Sequence, residues 1–373
     1  MILKQPPLPR EYIDTPTDAL AARIRDRKRQ LGPSLCILGH HYQRDEVVQF
    51  ADLVGDSLKL SQLAAAQRDA KYIVFCGVHF MAESADVLSG SEQVVCLPNM
   101  LAGCAMADMA GDADVSAAMD ELSALSGGAQ IVPVAYVNST AAIKAITGRA
   151  GGACCTSGNV QNVFEWALRK EGDGGAAADK ILAVPDQHLA RNTAIAMGYA
   201  EDDCAVYDPS LPDGGLTREQ VATARFLLWK GHCYVHQRFT PADVRAVRQR
   251  HPDITVMVHP ECPREVVALA DRNGSTEQII HTVAASKPGS EWAIGTESNL
   301  VNRLARQHPD RFIRVLSDAP ALCAQMGRID LPHLAWMLDN LAEGHVVNQV
   351  SVDPQTASDA KIALQRMIEI PRR

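Results

Sequence analysis

One pattern recurs three times along the chain and constrains its fold more than any other feature. A run of apolar and β-branched residues ends in a polar signature: GHHYQ at 39–43, AYVNS at 135–139 and VHPE at 258–261. A small polar turn then opens a helical stretch: GDS at 55–57, TSG at 156–158 and GST at 274–276. The spacings agree, with 17 residues from His40 to Ser57, 19 from Asn138 to Ser157 and 16 from His259 to Ser275. A second apolar run follows and ends in FCGVHFMAES, VPDQHLAR or GTESNLVN, and a third leads to a cysteine in LPNMLAGC, LLWKGHC and LSDAPALC. Ser57 to Cys104 is 47 residues and Ser275 to Cys323 is 48; Ser157 to Cys233 is 76, with the excess in the loop-like stretches EGDGGAAAD and YAEDDCAVYDPSLPDGG.

Strand–helix alternation of this kind predicts parallel sheets with helices on their faces. The expected strands are LCILGHH, YIVFCGV, VVCLP, IVPVAYV, ILAVPD, FLLWKG, ITVMVHP, EWAIGT and FIRVLSD; SLKLSQLAAAQRD and NVQNVFEWALRK are expected helices. The fold class is therefore α/β: three similar αβα units around a pseudo-threefold axis, with the site at the centre. The units are expected at 1–117, 118–235 and 236–330, with the C-terminal segment 331–373 packing on the first. Ligands in open α/β sheets gather at the carboxyl ends of strands, so three such edges facing one axis would bring distant residues together.

The 47% hydrophobic and 21% charged content is that of an ordinary globular chain. A net charge of −8 with no basic block argues against nucleic acid as a partner. The N-terminal stretch MILKQPPLPREYIDTPTDAL carries no apolar signal core, and no run approaches a membrane span, so a cytoplasmic chain without membrane contact is expected. Ten cysteines in such a compartment are fillers or ligands rather than a disulfide framework.

No C-x-x-C occurs, so neither a zinc ribbon nor a local ferredoxin run is supported. One cysteine per repeat remains: Cys104, Cys233 and Cys323. Three thiolates on a four-iron cluster leave one iron without a protein ligand, able to polarise an oxygen as a Lewis acid. Cys36, Cys76 and Cys96 lie inside apolar strands; Cys154, Cys155, Cys204 and Cys262 have no assigned role. The Ser/Thr turns read equally as helix N-caps and as an anion site of converging helix starts. His236 follows Cys233 by three residues, and His259 stands beside Glu261, a pairing able to move protons. Tyr42 and Tyr136 are phenols at the same strand ends.

Long ordered motifs then carry a resemblance. GHHYQRDEVVQFADLVGDSLKLSQLA, YIVFCGVHFMAESADVL, LPNMLAGCAMADM, AYVNSTAAIKA, CCTSGN, PDQHLARNTA, LWKGHCYVHQRF, VHPECP and GSTEQII resemble the quinolinate synthase A protein family, from about residue 20 to the C-terminal helix. The resemblance implies an enzyme of NAD biosynthesis. Such an enzyme condenses iminoaspartate (iminosuccinate) with dihydroxyacetone phosphate to quinolinate, losing phosphate and water. It implies a 4Fe-4S cluster on Cys104, Cys233 and Cys323. It carries substrate contacts to His40, Ser57, Tyr136, Val137, Asn138, Ser157, His259, Pro260, Glu261, Ser275 and Thr276, and proton-handling roles to Tyr42, His236 and Glu261. An L-aspartate-oxidising enzyme is the implied source of iminoaspartate. Some members carry the last cysteine in a C-x-x-C-x-x-C cluster, whereas LCAQMGRI offers Cys323 alone.

Three other readings are separable. A different open-iron hydro-lyase would make no quinolinate from these substrates. An iron–sulfur regulator would need a basic DNA-binding element, which the sequence lacks. A zinc-stabilised sugar- or nucleotide-binding protein would contain zinc and no sulfide.

Overall fold

The computed structural model describes residues 4–67 and 69–370. Its strands are β1 Leu35–His40, β2 Leu53–Gly55, β3 Tyr72–Cys76, β4 Val94–Cys96, β5 Ile131–Tyr136, β6 Ala153–Cys155, β7 Lys180–Val184, β8 Cys204–Tyr207, β9 Phe226–Trp229, β10 Thr255–Val258, β11 Arg272–Asn273, β12 Glu291–Gly295, β13 Phe312–Val315 and β14 Gln349–Val350. They form three sheets, ordered β14-β4-β3-β1-β2, β6-β5-β7-β9-β8 and β11-β10-β12-β13. All pairings are parallel except β14 with β4. The central strands β1, β3 and β7 are buried along their whole length, as parallel strands covered on both faces must be.

The repeat is visible in strand order. In each sheet the first strand lies between the second and third, and the strand leading to the repeat's cysteine (β4, β9 or β13) follows the third; in the middle sheet β8 adds outside it. Each of the nine expected strands forms. The short second strands β2, β6 and β11 add to them, and each ends two residues before the serine of its polar turn. The middle repeat's excess is partly a strand: CAVY at 204–207, read as loop, pairs as β8 on the open side of β9. Its four residues stand in parallel register with Phe226–Trp229, despite the acidic flanks.

Contacts divide the chain into two compact units that do not coincide with the three repeats. The first holds residues 1–104 and 322–353, the second 105–321 and 354–373. In the first unit the helix Thr17–Leu31 packs on the helix Leu331–Ala342. The buried Asp339 accepts from Tyr12 (2.6 Å), Arg23 (2.6 Å) and Arg27 (2.7 Å). The second unit contains both remaining sheets.

Residues 322–353 group with 1–104, and the last segment groups with the second unit. The helix Pro354–Glu369 packs on the helix Ala141–Arg149 and on β6. Gly148 permits this, because a Cβ there would stand 2.1 Å from the Asp359 carbonyl oxygen. Arg149 pairs with Asp359 (2.8 Å), Arg366 donates to the Gly152 carbonyl (2.6 Å), and Asn159 donates to that of Met367 (3.0 Å). Gly148→Ala is therefore expected to cost about 1–3 kcal/mol of stability by overpacking. Urea unfolding checks this, and an unchanged midpoint would contradict the close approach. Among the described residues, no helix is long and apolar enough to cross a membrane.

Candidate active site

A strand order that reverses between the first and third strands opens a crevice beyond their carboxyl ends. In the second unit those ends are β5 and β7 in one sheet and β10 and β12 in the other. Tyr136 closes β5, Asp186 follows β7, His259 and Glu261 follow β10, and Thr296 follows β12. The polar signatures picked out in the sequence thus stand where the topology predicts a site.

Glu261 is its hub. The residue is 2% exposed. Its Oε1 accepts from the Tyr136 hydroxyl at 2.5 Å, and its Oε2 lies 3.1 Å from His236 Nδ1. The other ring nitrogen of His236, Nε2, is 3.1 Å from Thr296 Oγ1. His259 stacks on His236 with ring centroids 4.5 Å apart. Its Nδ1 accepts the backbone N–H of Glu261 at 3.3 Å, so the ring proton sits on Nε2, which lies 3.1 Å from Ser157 Oγ. The 3.7 Å from His259 Nδ1 to Glu261 Oε1 is too long for a hydrogen bond.

The electrostatics follow from these contacts. Burial pushes the Glu261 carboxyl up, but His236, His259 and the Tyr136 hydroxyl outweigh it and hold the group down at about 2. Burial, assisted by His236, lowers His259 to about 3, so its ring is neutral. Asp186 goes the other way. Its burial and the charge of Glu261 raise it well above the usual carboxylate range, although the peptide N–H groups of Leu189, His188 and Cys233 oppose the shift. The two buried carboxyls are thus pushed in opposite directions, Glu261 toward its charged form and Asp186 toward its protonated form.

The serine turns differ in use. Ser275 caps the helix Thr276–Ala284, forming a capping box with Gln278, and Thr276 is buried beside it. Ser157 does not cap. Thr156 and Asn159 bond each other at the start of the helix Val160–Leu168, and the Ser157 hydroxyl meets His259 instead. A Cβ on Gly158 would lie 3.6 Å from Ser275 Oγ, so the two helix starts adjoin. Val137 donates its N–H to the Cys155 carbonyl (2.8 Å), and Ser139 Oγ donates to the Tyr136 carbonyl (2.8 Å). These bonds shape the turn that carries Asn138, whose Oδ1 is shielded from water without a protein partner. A buried acceptor of this kind suits a bound ligand.

In the first unit His40 ends β1, is 5% exposed, and accepts the Tyr42 N–H on Nδ1 at 3.1 Å. The Tyr42 ring meets it edge-on at 4.7 Å. This repeats the His259–Glu261 arrangement, a histidine held by the peptide N–H two residues on. Ser57 opens the helix Ser57–Ala66, where Asp56 accepts the Lys59 N–H (2.9 Å).

The ten cysteines sort by burial. Cys36, Cys76, Cys96, Cys154, Cys155 and Cys262 are buried, while Cys104, Cys204, Cys233 and Cys323 are partly exposed. Burial pushes the Cys36 and Cys204 thiols up to about 11 and those of Cys76, Cys96 and Cys154 up to about 12. It carries Cys155 and Cys262 well above the ordinary thiol value. Such thiols are poor ligands, which leaves the three repeat-end cysteines as the accessible set. Cys104 and Cys323 each precede a short 3-10 turn by three residues (Ala107–Met109 and Met326–Arg328). The carbonyls of Cys233 and Cys323 each accept the N–H four residues on, from Gln237 (2.9 Å) and Gly327 (3.0 Å). One ligand atom each of Cys233, His236 and Glu261 lies within 4.8 Å of the others. His236 and Glu261 already bond each other, Thr296 and Tyr136, so this group reads as a proton network beside a thiol rather than a mononuclear metal cage.

Three contributors lay in quoted motifs without a role. Thr296 faces His236, Asp186 faces the Cys233 peptide, and Asn192 holds the Glu261 turn. An acidic residue at a helix start is a legible cap signal, which Asp186 fulfils for the helix Gln187–Ala196. Long-range bonds to backbone carbonyls leave no such pattern.

The chain is similar over residues 22–369 to the family described as Quinolinate synthetase A protein. It is 53% identical to the quinolinate synthase of a Nocardioides species over 95% of this chain and 90% of that one. It is 51% identical to that of Streptomyces coelicolor, over 96% and 90% of the two chains. The Bacillus cereus quinolinate synthase is 50% identical, over 97% and 96%.

Proposed function

We propose, from the premise that the chain belongs to the Quinolinate synthetase A protein family, that it condenses iminoaspartate with dihydroxyacetone phosphate to quinolinate, losing phosphate and water. This makes it a transferase of the dehydratase type in NAD biosynthesis. The observation that carries the reading is the buried carboxylate of Glu261, hydrogen-bonded to Tyr136 and His236 beneath the His259–Ser157 pair.

Cys104, Cys233 and Cys323 are the residues that would hold a 4Fe-4S cluster, and their partial exposure, shared with Cys204 while the other six cysteines are buried, fits that role. When bound, the cluster supplies a Lewis-acidic iron without a protein ligand. The chain's own groups do the rest. Glu261 takes or returns a proton at Oε1 or Oε2, with His236 Nδ1 and the Tyr136 hydroxyl as the adjoining donors. Tyr42 is a further phenolic donor. His259 Nε2–H, the Ser157 and Ser275 hydroxyls, Asn138 and Thr276 orient carboxylate or phosphate oxygens at the adjoining helix starts. Val137 and Pro260 shape that pocket, and His40 with Ser57 supply the first repeat's contacts. Both substrates are small molecules. Iminoaspartate is unstable, so an L-aspartate-oxidising enzyme is its fitting source, and we place the reaction in the cytoplasm, with neither membrane nor nucleic acid involved.

Protein prepared without air is expected to contain iron and sulfide and to form quinolinate from the two substrates. Cys233→Ser should lose most of the iron. Zinc without sulfide, or iron-loaded protein that turns over neither substrate, would defeat the reading.

A further inference from the structure

We infer that Asn192 is a positioning residue for Glu261: from the helix Gln187–Ala196, its amide clamps the two peptide carbonyls that flank the glutamate. Asn192 Nδ2 lies 2.8 Å from the Pro260 carbonyl oxygen and 2.9 Å from that of Cys262, and the side chain is 6% exposed. An amide nitrogen has two hydrogens, so each carbonyl receives one. The turn is closed beneath them by the Cys262 N–H on the His259 carbonyl (3.0 Å), which leaves Pro260 and Glu261 at its corner. The Glu261 carboxylate oxygens meet Tyr136 and His236 instead, so the clamp fixes the peptide without competing for the side chain.

The helix that carries Asn192 is itself tied to the other half of the network. Asp186 caps its start, accepting from His188 (2.7 Å) and Leu189 (2.9 Å). Gln187 donates to the Gly231 carbonyl at 3.0 Å. Gly231 is needed there, since a Cβ would stand 2.2 Å from the Pro185 carbonyl oxygen. From Gly231 the chain runs directly to Cys233 and His236. One short helix thus grips the turn bearing Glu261 and the segment bearing His236, and so sets the 3.1 Å between the two side chains.

Asn192→Leu keeps the side chain's bulk and removes both donors; Asn192→Ala removes the bulk as well. Hydrogen exchange of the peptide spanning Met257–Val266 is expected to speed up about tenfold or more in both, with the β5 and β7 peptides unchanged. A misplaced Glu261 should lower kcat by about 100-fold while KM stays within about threefold. Thr193→Ala, whose hydroxyl bonds only the Leu189 carbonyl of its own helix among the contacts seen (2.7 Å), is the control and should leave that exchange unaltered. The effect on turnover rests on the quinolinate reading; the exchange measurement does not, so failure of the reaction and failure of the clamp are read separately. Wild-type exchange of the turn in Asn192→Leu, or an unchanged kcat, overturns the proposal.

Discussion

Glu261→Gln is expected to lower kcat by about 10²–10⁴-fold, the range for removing a positioned acid/base group, while leaving the fold and the iron content intact. Glutamine has the glutamate's shape, and its Oε1 can still accept from Tyr136. Its Nε2 can only donate, however, and would face His236 Nδ1, which must then accept. The ring proton moves to His236 Nε2 and points at Thr296, so the tautomer is reversed and no carboxylate remains to receive a proton. Stability should change little, because removing a buried charge along with its need for solvation is often neutral. Near wild-type turnover in a folded, iron-loaded variant would strip Glu261 of its proposed role.

The second large effect is on stability against pH. His259 is lowered to about 3 by burial, with His236 adding to the shift and Glu261 opposing it. An unfolded histidine titrates near 6.5. Below that pH the unfolded chain takes up a proton that the native ring refuses. The stability this residue contributes is therefore complete above about 6.5 and is lost toward 3, at about 1.4 kcal/mol per pH unit. Asp186, raised in the native state, acts with the opposite sign and gains stability as pH falls toward its unfolded value. The comparison with His259→Gln isolates the histidine, since the variant has nothing to protonate there. Urea unfolding from pH 7.5 to 5 should show the wild type losing ground to the variant at that rate below 6.5. Parallel curves would mean the buried imidazole is not held neutral.

The sequence shows most of this architecture because its central strands are fully buried and so read as unbroken β-branched runs. LCILGH and YIVFC could hardly be anything else. The short strands β2, β6 and β11 were invisible for the opposite reason. LVG, ACC and RN carry no pattern of their own and are extended because a neighbouring strand offers them a register. The tail's destination was hidden too, since it depends on a missing side chain at Gly148. Within the site, Tyr136, Ser157, His236, His259 and Glu261 were legible as polar residues at strand ends, and the structure of the second unit brings them together. Thr296 and Asn192 were not, because neither is unusual as a residue type where it stands. Their importance lies in which distant atom each one faces.

The way His259 is held has one last consequence. Its Nδ1 is occupied by a peptide N–H from its own turn, so the direction in which the ring offers its remaining proton is written into the backbone. Imidazole is the side chain best suited to reporting acidity near neutrality. Fastened and kept dry in this way, it becomes instead a donor of constant charge and constant aim throughout that range.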